Sequence, residues 1–598
     1  MRSGLCLLVA VVLAGGGGVL AGSARADATD RAVAYQVNVA HSGVQTDNAL
    51  APGFSRRWRT TLPALVSYPL IAQGMVFVTA GDNASATATL YALDQQTGQV
   101  VWSQPLAFFR PWANAAYEGG RIFVVGNNPV CCGSGLMSAF AADTGAPLWT
   151  AQLPGQYLFS SPPTAANGLV YTAGAGSGGT VYAVDEASGA VVATQPVANG
   201  DHSSPALSDS GVFVSYACNQ AFGFSQTPPL AFLWHYSTGC EGGGGKTVVY
   251  ANGHVYTRDF SGDLVLDAGT GNLLGSFTSV YAPAVDQTSI FTASPGLLSA
   301  QNLADGSTRW TFTGDGQLDT APIVLATAAG EFVVEGSATG MLYALNAASG
   351  TAVWSTSVGA AIPQPDEQNL SQPLTGLAAG QGLLVVPAGN TVSAYASDST
   401  PPTITVPSTI TAAAMSSSGA IVSYSVSATD PDDTATVGCT PSSGSTFPVG
   451  ATTVRCTATD TAGNQASASF LVVVSAQGAD CNLSDYPVVK GVLTLKNGNL
   501  SGCYLPGASL SAANATNVNL TGTYLDSANL SSANLSQAHM ERTVLSHANL
   551  SGVKLNFADL AGASLAGANL TSVSWLQTTC PDGTNSNNDG GTCTGHLG

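Results

Sequence analysis

A chain of 598 residues carrying a formal net charge of −19 and only 9% charged side chains is too long for one core. It is also too acidic to grip a phosphate backbone on a basic face, so nucleic acid is not expected as a partner. Its 69 glycines, with abundant Ser, Thr and Ala, suit short strands and small-residue turns better than charged amphipathic helices, so the composition points to an all-β protein.

The chain opens with Met1-Arg2, the apolar stretch Leu5 to Leu20 and then Ala24-Arg25-Ala26. These are the charged, apolar and A-x-A cleavage regions of a secretory signal peptide, placed over 1–26 with the mature chain starting near Asp27. Cys6 is preceded by Gly4-Leu5 rather than by a lipobox-like site, so no lipid anchor is expected. No later stretch offers about 18 consecutive apolar residues, so no membrane span is expected and the product reads as secreted or loosely wall-associated. Leaving Cys6 aside, the cysteines fall into close pairs: Cys131 with Cys132, Cys218 with Cys240, Cys439 with Cys456, Cys481 with Cys503, and Cys580 with Cys593. In an exported protein an even set at such spacings reads as disulfides, and none shows CxxC spacing with matching His for zinc.

From about Ser67 to Ser397 one pattern recurs, an apolar strand, a short turn, and then Ala-x-Asp-x-x-Thr-Gly-x-x-x-Trp or part of it. The clearest copies run from Ala92 through Thr97-Gly98 to Trp102 and from Ala344 through Gly350 to Trp354, and weaker ones end at Trp149 and Trp310. The copies centred on Gly189 and Gly271 have Ala193 and Gly275 where the Trp would be. Repeats of 32 to 50 residues with about four strand-sized runs each are the signature of propeller blades. This motif resembles the PQQ-like repeat β-propeller family named after quinoprotein dehydrogenases, which implies a Thr-Gly turn between third and fourth strands and a Trp packed between blades. Counting turn glycines at Gly98, Gly145, Gly189, Gly239, Gly271, Gly306 and Gly350 gives seven blades. Arg57-Trp58-Arg59-Thr60 reads as an outer strand without a blade and Leu383 to Tyr395 as inner strands without an outer one, so joining them makes an eighth blade and closes a ring over 27–398.

The connections from fourth to first strands, and from second to third, share one face, where propellers usually bind ligands. That face is expected to carry Phe108, Phe109, Arg110 and Trp112, then Tyr157, Asp201, His202 and Glu241, then Arg258, Asp259, Asp315, Asp319, Asp366 and Glu367. Carboxylates, cations and aromatic rings together suit sugars, peptides or cations. Cys131-Cys132 lies in such a connection and resembles the ring disulfide near the cofactor of quinoprotein alcohol dehydrogenases. That resemblance implies PQQ and calcium as cofactors of an alternative reading, a sugar or alcohol dehydrogenase. The ring is shorter than in those enzymes and shows no recognisable match for their calcium ligands or catalytic Asp, so no cofactor is expected and the pair reads as a loop staple.

After the Pro- and Thr-rich hinge Ser399 to Pro402, residues 399–476 read as alternating strands. Ser427-Ala428-Thr429-Asp430, Phe447-Pro448-Val449-Gly450 and Cys456-Thr457-Ala458-Thr459-Asp460 resemble the hyalin repeat, which implies an immunoglobulin-like sandwich serving as spacer or adhesion module. Between 480 and 576 nearly every fifth residue from Leu495 to Leu570 is Leu, with a small residue two positions earlier, as at Ala513, Ala528 and Ala548. This resembles the pentapeptide-repeat family, whose right-handed quadrilateral β-helix turns the Leu and the small residue inward. At about 20 residues per coil it makes a rod of roughly four coils, clamped at its ends by Cys481 with Cys503 and Cys580 with Cys593. Charges within these repeats are balanced, which argues against DNA mimicry. In the tail 577–598, Asp582, Asn585, Asn587, Asn588 and Asp589 place hard oxygens at short spacing, a candidate calcium loop without an ordered Asp-x-Asp-x-Asp-Gly run.

No catalytic triad, HExxH, P-loop or GxSxG with partners is present, so no enzyme activity is expected; a polysaccharide-acting propeller enzyme stands as the other catalytic alternative. The reading is a secreted scaffold whose propeller recognises an extracellular glycan, peptide or protein.

Overall fold

A computed structural model describes residues 30–47, 49–82, 87–108, 113–128, 134–155, 161–174, 179–197, 203–216, 218–239, 245–259, 262–367, 372–415, 418–431, 434–476 and 481–597. The chain forms two compact units, 1–397 and 398–598.

The first unit is an eight-bladed propeller. Seven blades are sequential antiparallel sheets, over 70–106, 114–154, 164–196, 206–236, 249–277, 284–312 and 323–357. The eighth joins Ala378–Gly380, Leu383–Ala388 and Thr391–Ser397 to the distant Phe54–Thr61, with Trp58 opposite Ala394. The ring is therefore closed by main-chain hydrogen bonds between segments more than 300 residues apart, as the unmatched outer and inner strands implied.

A cross-strand row explains why the recurring Trp is there. Phe77, Ala92 and Trp102 stand side by side on blade 1, and Phe123, Ala139 and Trp149 on blade 2. The small middle residue leaves room for the indole to tilt against the phenyl ring, with centroids 5.9 Å apart in both blades. Its other face covers the turn glycine of the next blade. Trp58 donates from Nε1 to Gln95 O at 2.8 Å beside Gly98, Trp102 to Ala142 O at 3.0 Å beside Gly145, and Trp149 to Glu186 O at 2.9 Å beside Gly189. Trp234 reaches Ala268 O at 2.8 Å beside Gly271, and Trp310 reaches Ala347 O at 2.9 Å beside Gly350. Those glycines have φ near +70°, and a Cβ on any of them would stand 2.4 to 2.7 Å from an indole carbon. Conformation and close approach both demand glycine. Trp354 instead meets Phe54 edge-on at 5.0 Å.

One turn differs from the reading above. Gly239 follows the outer strand Phe232–Tyr236, and the turn of blade 4 is 226–231, with Leu230 fully buried at φ +58°. The blade count is unchanged, because a longer turn with an apolar tip replaces the Thr-Gly turn.

Residues 30–47 make a second closure that the sequence did not announce. Ala32 bridges Ile71 of blade 1, and Val33 O accepts from Tyr117 of blade 2. His41 Nε2 lies 3.0 Å from Thr164 Oγ1 of blade 3. Val39, Ala40, Ser42 and Gly43 then offer carbonyls to Leu207, Tyr250, Val285 and Val324 of blades 4 to 7. Val44–Thr46 adds a parallel strand to blade 7, and Asp47 accepts from the Gly382 N–H of blade 8 at 2.7 Å. These contacts run along the inner strands of successive blades, so the segment crosses the inside of the ring.

In the second unit, Ile410–Ala413, Gln465–Ser475, Gly450–Asp460 and Ala435–Thr440 form one sheet of an immunoglobulin-like sandwich. Phe447, Val454, Phe470, Val472 and Val474 fill its core, and Cys439–Cys456 joins residues directly opposite in register. The solenoid follows with parallel bridges linking every fifth residue to the one 20 later, from Thr494 with Asn514 to Asp559 with Thr579. Leu500, Leu525, Leu545, Leu550 and Leu560 are fully buried inside, with Ala528 and Ala548 beside them. Cys481–Cys503 and Cys580–Cys593 are formed at the two ends.

Candidate functional site

The residues that gather at the propeller mouth come from connections preceding inner strands or joining second to third strands. Arg258 and Asp259 end the second strand of blade 5 and Asp263 begins its third, because the hairpin places both strand ends on that face. Lys246 precedes the inner strand Val249–Ala251, Tyr281 precedes Ala284–Val285, and Asp319 precedes Ile323–Thr327. The segment containing Gln364, Asp366 and Glu367 leads into blade 8.

Arg258 is 2% exposed and Glu367 6%, so each buried charge is compensated by the other. Arg258 Nη2 donates to both oxygens of Glu367, at 2.8 and 2.9 Å, and Nη1 donates to Val280 O at 2.8 Å. Thr247 N adds a bond to Glu367 Oε2 at 3.2 Å. Tyr35, delivered by the N-terminal segment, is fully buried nearby; burial first and the Glu367 charge second hold its phenol well above the usual range. Tyr281 Oη donates to Asp319 Oδ1 and lies 3.3 Å from Gln364 Oε1. Burial lowers the ammonium pKa of Lys246, the Arg258 charge adding to it, while burial raises Asp263 despite a 2.6 Å bond from Ser279 N. Glu335, which sequence reasoning missed, is fully buried and raised well above the carboxylate range by burial, with Oε1 accepting from the Thr320 N–H and hydroxyl. Together Lys246, Arg258, Tyr281, Gln364, Asp366 and Glu367 line a cavity of about 220 Å³.

Of the sequence candidates, Arg258, Asp366 and Glu367 are therefore adjacent, and Asp319 joins them through Tyr281 and Gln364. Asp259 accepts from Asn219 N at 3.0 Å beside them. Asp315 is turned to its own blade, bonded to Ser337 at 2.6 Å and to Thr339. Burial would raise its pKa, but these hydroxyls outweigh burial and lower it, so no crowding of carboxylates acts there. Phe108 is core, its ring packed against Gly126. Phe109, Arg110, Trp112, Tyr157, Asp201, His202, Glu241, Cys131, Cys132 and Cys240 lie outside the described residues, whereas Cys218 is disulfide-bonded. Lys246 was the legible signal that was passed over, one of only 16 lysines and arginines and set in a blade connection.

In the tail, Asp582 Oδ1 accepts from Thr584 N at 2.9 Å, Asn585 Oδ1 from Asn587 N at 3.0 Å, and Asn587 Oδ1 from Gln577 N at 3.0 Å. Asp582 Oδ2 and Asp589 Oδ1 flank the His596 ring, at 2.7 and 3.7 Å. These oxygens serve turns or a latch on the C-terminus, while Asp589 Oδ2 is buried without a hydrogen-bond partner, and among the described residues no three His, Cys, Asp or Glu gather as metal ligands. Among the described residues, the carboxylates of the mouth do not fit a calcium-quinone centre for the same kind of reason. Glu367, Asp319 and Asp315 are already held by Arg258, Tyr281 and the Ser337 and Thr339 hydroxyls.

A family model described as outer membrane protein assembly factor BamB matches residues 54–131, 133–228 and 177–391. An HYR domain model matches 397–474, and a model of pentapeptide repeats matches 495–531, 523–556 and 548–574. Among solved structures, BamB from Moraxella catarrhalis is 16% identical, covering 57% of this chain and 99% of that one with a TM-score of 0.43. A europium-containing methanol dehydrogenase is 14% identical over 60% of this chain and 90% of that one, with a TM-score of 0.45. Quinohemoprotein alcohol dehydrogenase from Comamonas testosteroni is 14% identical over 64% and 83%, with a TM-score of 0.47. No curated protein matches the chain.

Proposed function

This chain belongs to the family whose model is described as outer membrane protein assembly factor BamB, its propeller followed by an HYR domain and pentapeptide repeats, and from that premise we propose that it is an exported binding protein whose propeller mouth recognises an extracellular glycan or peptide. The observation that carries this reading is the cavity of about 220 Å³ in which a cation, a carboxamide, a phenol and a carboxylate face one space around a buried Arg258–Glu367 pair. Such a pair is costly to bury and holds the mouth in one shape, while Lys246, Gln364 and Asp366 line the same space with the donor and acceptor types that suit hydroxyls or amides. Export is supported by the Met1-Arg2, Leu5 to Leu20 and Ala24-Arg25-Ala26 sequence and by the three disulfides of the second unit. The HYR sandwich and the solenoid serve in this reading as spacer and second surface.

Neutral oligosaccharide and peptide arrays probed with the full mature chain test the proposal. A captured ligand should lose at least about tenfold in affinity, or 1.4 kcal/mol, in the Lys246→Gln, Asp366→Asn double variant while the melting temperature stays put. Binding indifferent to that variant would assign the ligand to another surface and remove the mouth from the function.

A further inference from the structure

The junction between blades 5 and 6 keeps the turn glycine, the acceptor carbonyl and an aromatic ring in the supporting position of the tryptophan dock, but has Val265 as the middle residue and no tryptophan. Tyr256, Val265 and Gly275 form the cross-strand row of blade 5, so Tyr256 stands where Phe77, Phe123, Phe213 and Phe291 support an indole in other blades. Gly275 occupies the position of the Trp. In blade 6 the turn glycine is present as Gly306 at φ +70°, and the Leu303 carbonyl, three residues before it, stands where Gln95, Ala142, Glu186, Ala268 and Ala347 accept the indole N–H. A Cβ placed on Gly275 or on Gly306 meets nothing within 4 Å, whereas at the five occupied docks the glycine lies under an indole ring. The space is a cavity of about 750 Å³ whose lining includes Tyr256, Gly275, Phe277, Leu303 and Gly306.

The other junction lacking a Trp shows what happens when such a gap is filled from within. There Ala193 faces blade 4, whose longer turn brings buried Leu230 and a Pro229 carbonyl that accepts from Gln195 Nε2 at 2.9 Å. Blade 6 has no such turn; its Ala304, Asp305 and Gly306 keep the short form.

We propose that this junction is a binding site for a small indole-bearing ligand, a planar bicyclic aromatic whose ring N–H donates to Leu303 O while it covers Gly306 and packs against Phe277, which stands edge-on over the buried Tyr256. The chemistry is the one the fold performs with its own side chains at five other junctions. A phenyl group lacks the N–H and would leave the carbonyl unpaired, so the site selects for indole over benzene. Val265, in place of the alanine or glycine of the other rows, takes up part of the space beside the ring, and Leu273 and Leu274 are left half-exposed at the outer strand.

The experiment titrates N-acetyltryptophanamide into the full mature chain by calorimetry, in parallel with its 1-methylindole counterpart and with N-acetylphenylalaninamide. Saturable binding of the first, at least about tenfold weaker for the other two, is the expected result. Gly275→Trp should then abolish binding and raise the propeller melting temperature by a few degrees, because the backbone there is not in the left-handed region and the tethered indole supplies the missing dock. Should that variant fail to fold, Gly275→Met fills the same space with a thinner side chain and should likewise remove binding. The Lys246→Gln, Asp366→Asn variant should bind the probe unchanged, since the site is independent of the mouth. Absence of saturable binding, equal affinity for the methylated probe, or undiminished binding in a folded Gly275 variant would overturn the assignment.

Discussion

Gly145 and Gly306 have the same φ of +70° at the same turn of two blades, but a Cβ on Gly145 would stand 2.5 Å from the Trp102 ring, whereas one on Gly306 would meet nothing within 4 Å. Replacing either by Ala incurs the left-handed backbone strain of about 1 kcal/mol. Gly145→Ala must in addition displace the indole, which breaks the bond to Ala142 O and opens a buried aromatic contact, so its total cost should exceed that of Gly306→Ala by about 1–3 kcal/mol. Chemical denaturation of the two variants measures the difference directly. Equal destabilisation would mean that the dock contributes nothing beyond backbone conformation.

The elements that close the ring act at two levels, and each has a separable signature. Phe54–Thr61 completes blade 8, and Trp58, 7% exposed, docks on blade 1, so Trp58→Ala should cost about 3–5 kcal/mol. The bridging segment 30–47 carries His41, fully buried at φ +55° against Thr164, and burial lowers its pKa from 6.5 to about 3. Because the folded form refuses the proton that the unfolded form accepts, His41 leaves stability intact above pH 6.5. That stability is lost as pH falls from there toward 3, at up to about 1.4 kcal/mol per pH unit. Asn tolerates the same left-handed backbone and carries no proton to lose, so His41→Asn should flatten the acid limb of a melting-temperature profile. Superimposable profiles for the two proteins would show that the segment releases before the propeller unfolds.

The whole molecule has two compact units with separate hydrophobic cores, the propeller clusters on one side of Asp398 and the sandwich and solenoid clusters on the other. Calorimetry of the mature chain should therefore resolve more than one transition. The transition of the second unit, which contains Cys439–Cys456, Cys481–Cys503 and Cys580–Cys593, should fall strongly on reduction, each lost disulfide costing about 2–4 kcal/mol. A single cooperative transition lowered uniformly by reductant would require the units to share their stability.

The blades, the eighth-blade closure by Trp58 and the coil of the pentapeptide rod were legible because each rests on a periodic local pattern. A Thr-Gly turn with Trp four residues on, or Leu at every fifth position, has the same structural consequence wherever it falls in the chain. The turn of blade 4 was misplaced at Gly239 for the converse reason: 226–231 makes that turn without the motif, using buried Leu230. What only the tertiary structure decided was how residues without a period meet. Nothing in Asp30 to Asp47 announces that it crosses all eight blades, since its partners are mostly main-chain groups that every residue possesses. Arg258 and Glu367, 109 residues apart, became one buried pair only when the ring set blade 5 beside the segment leading into blade 8. Asp315, alike in type and connection, was turned away by two nearby hydroxyls. The missing Trp at Gly275 was visible in the sequence, but only the packed blades distinguish it from Ala193. Whether a gap is filled or open depends on what the neighbouring sheet brings to it.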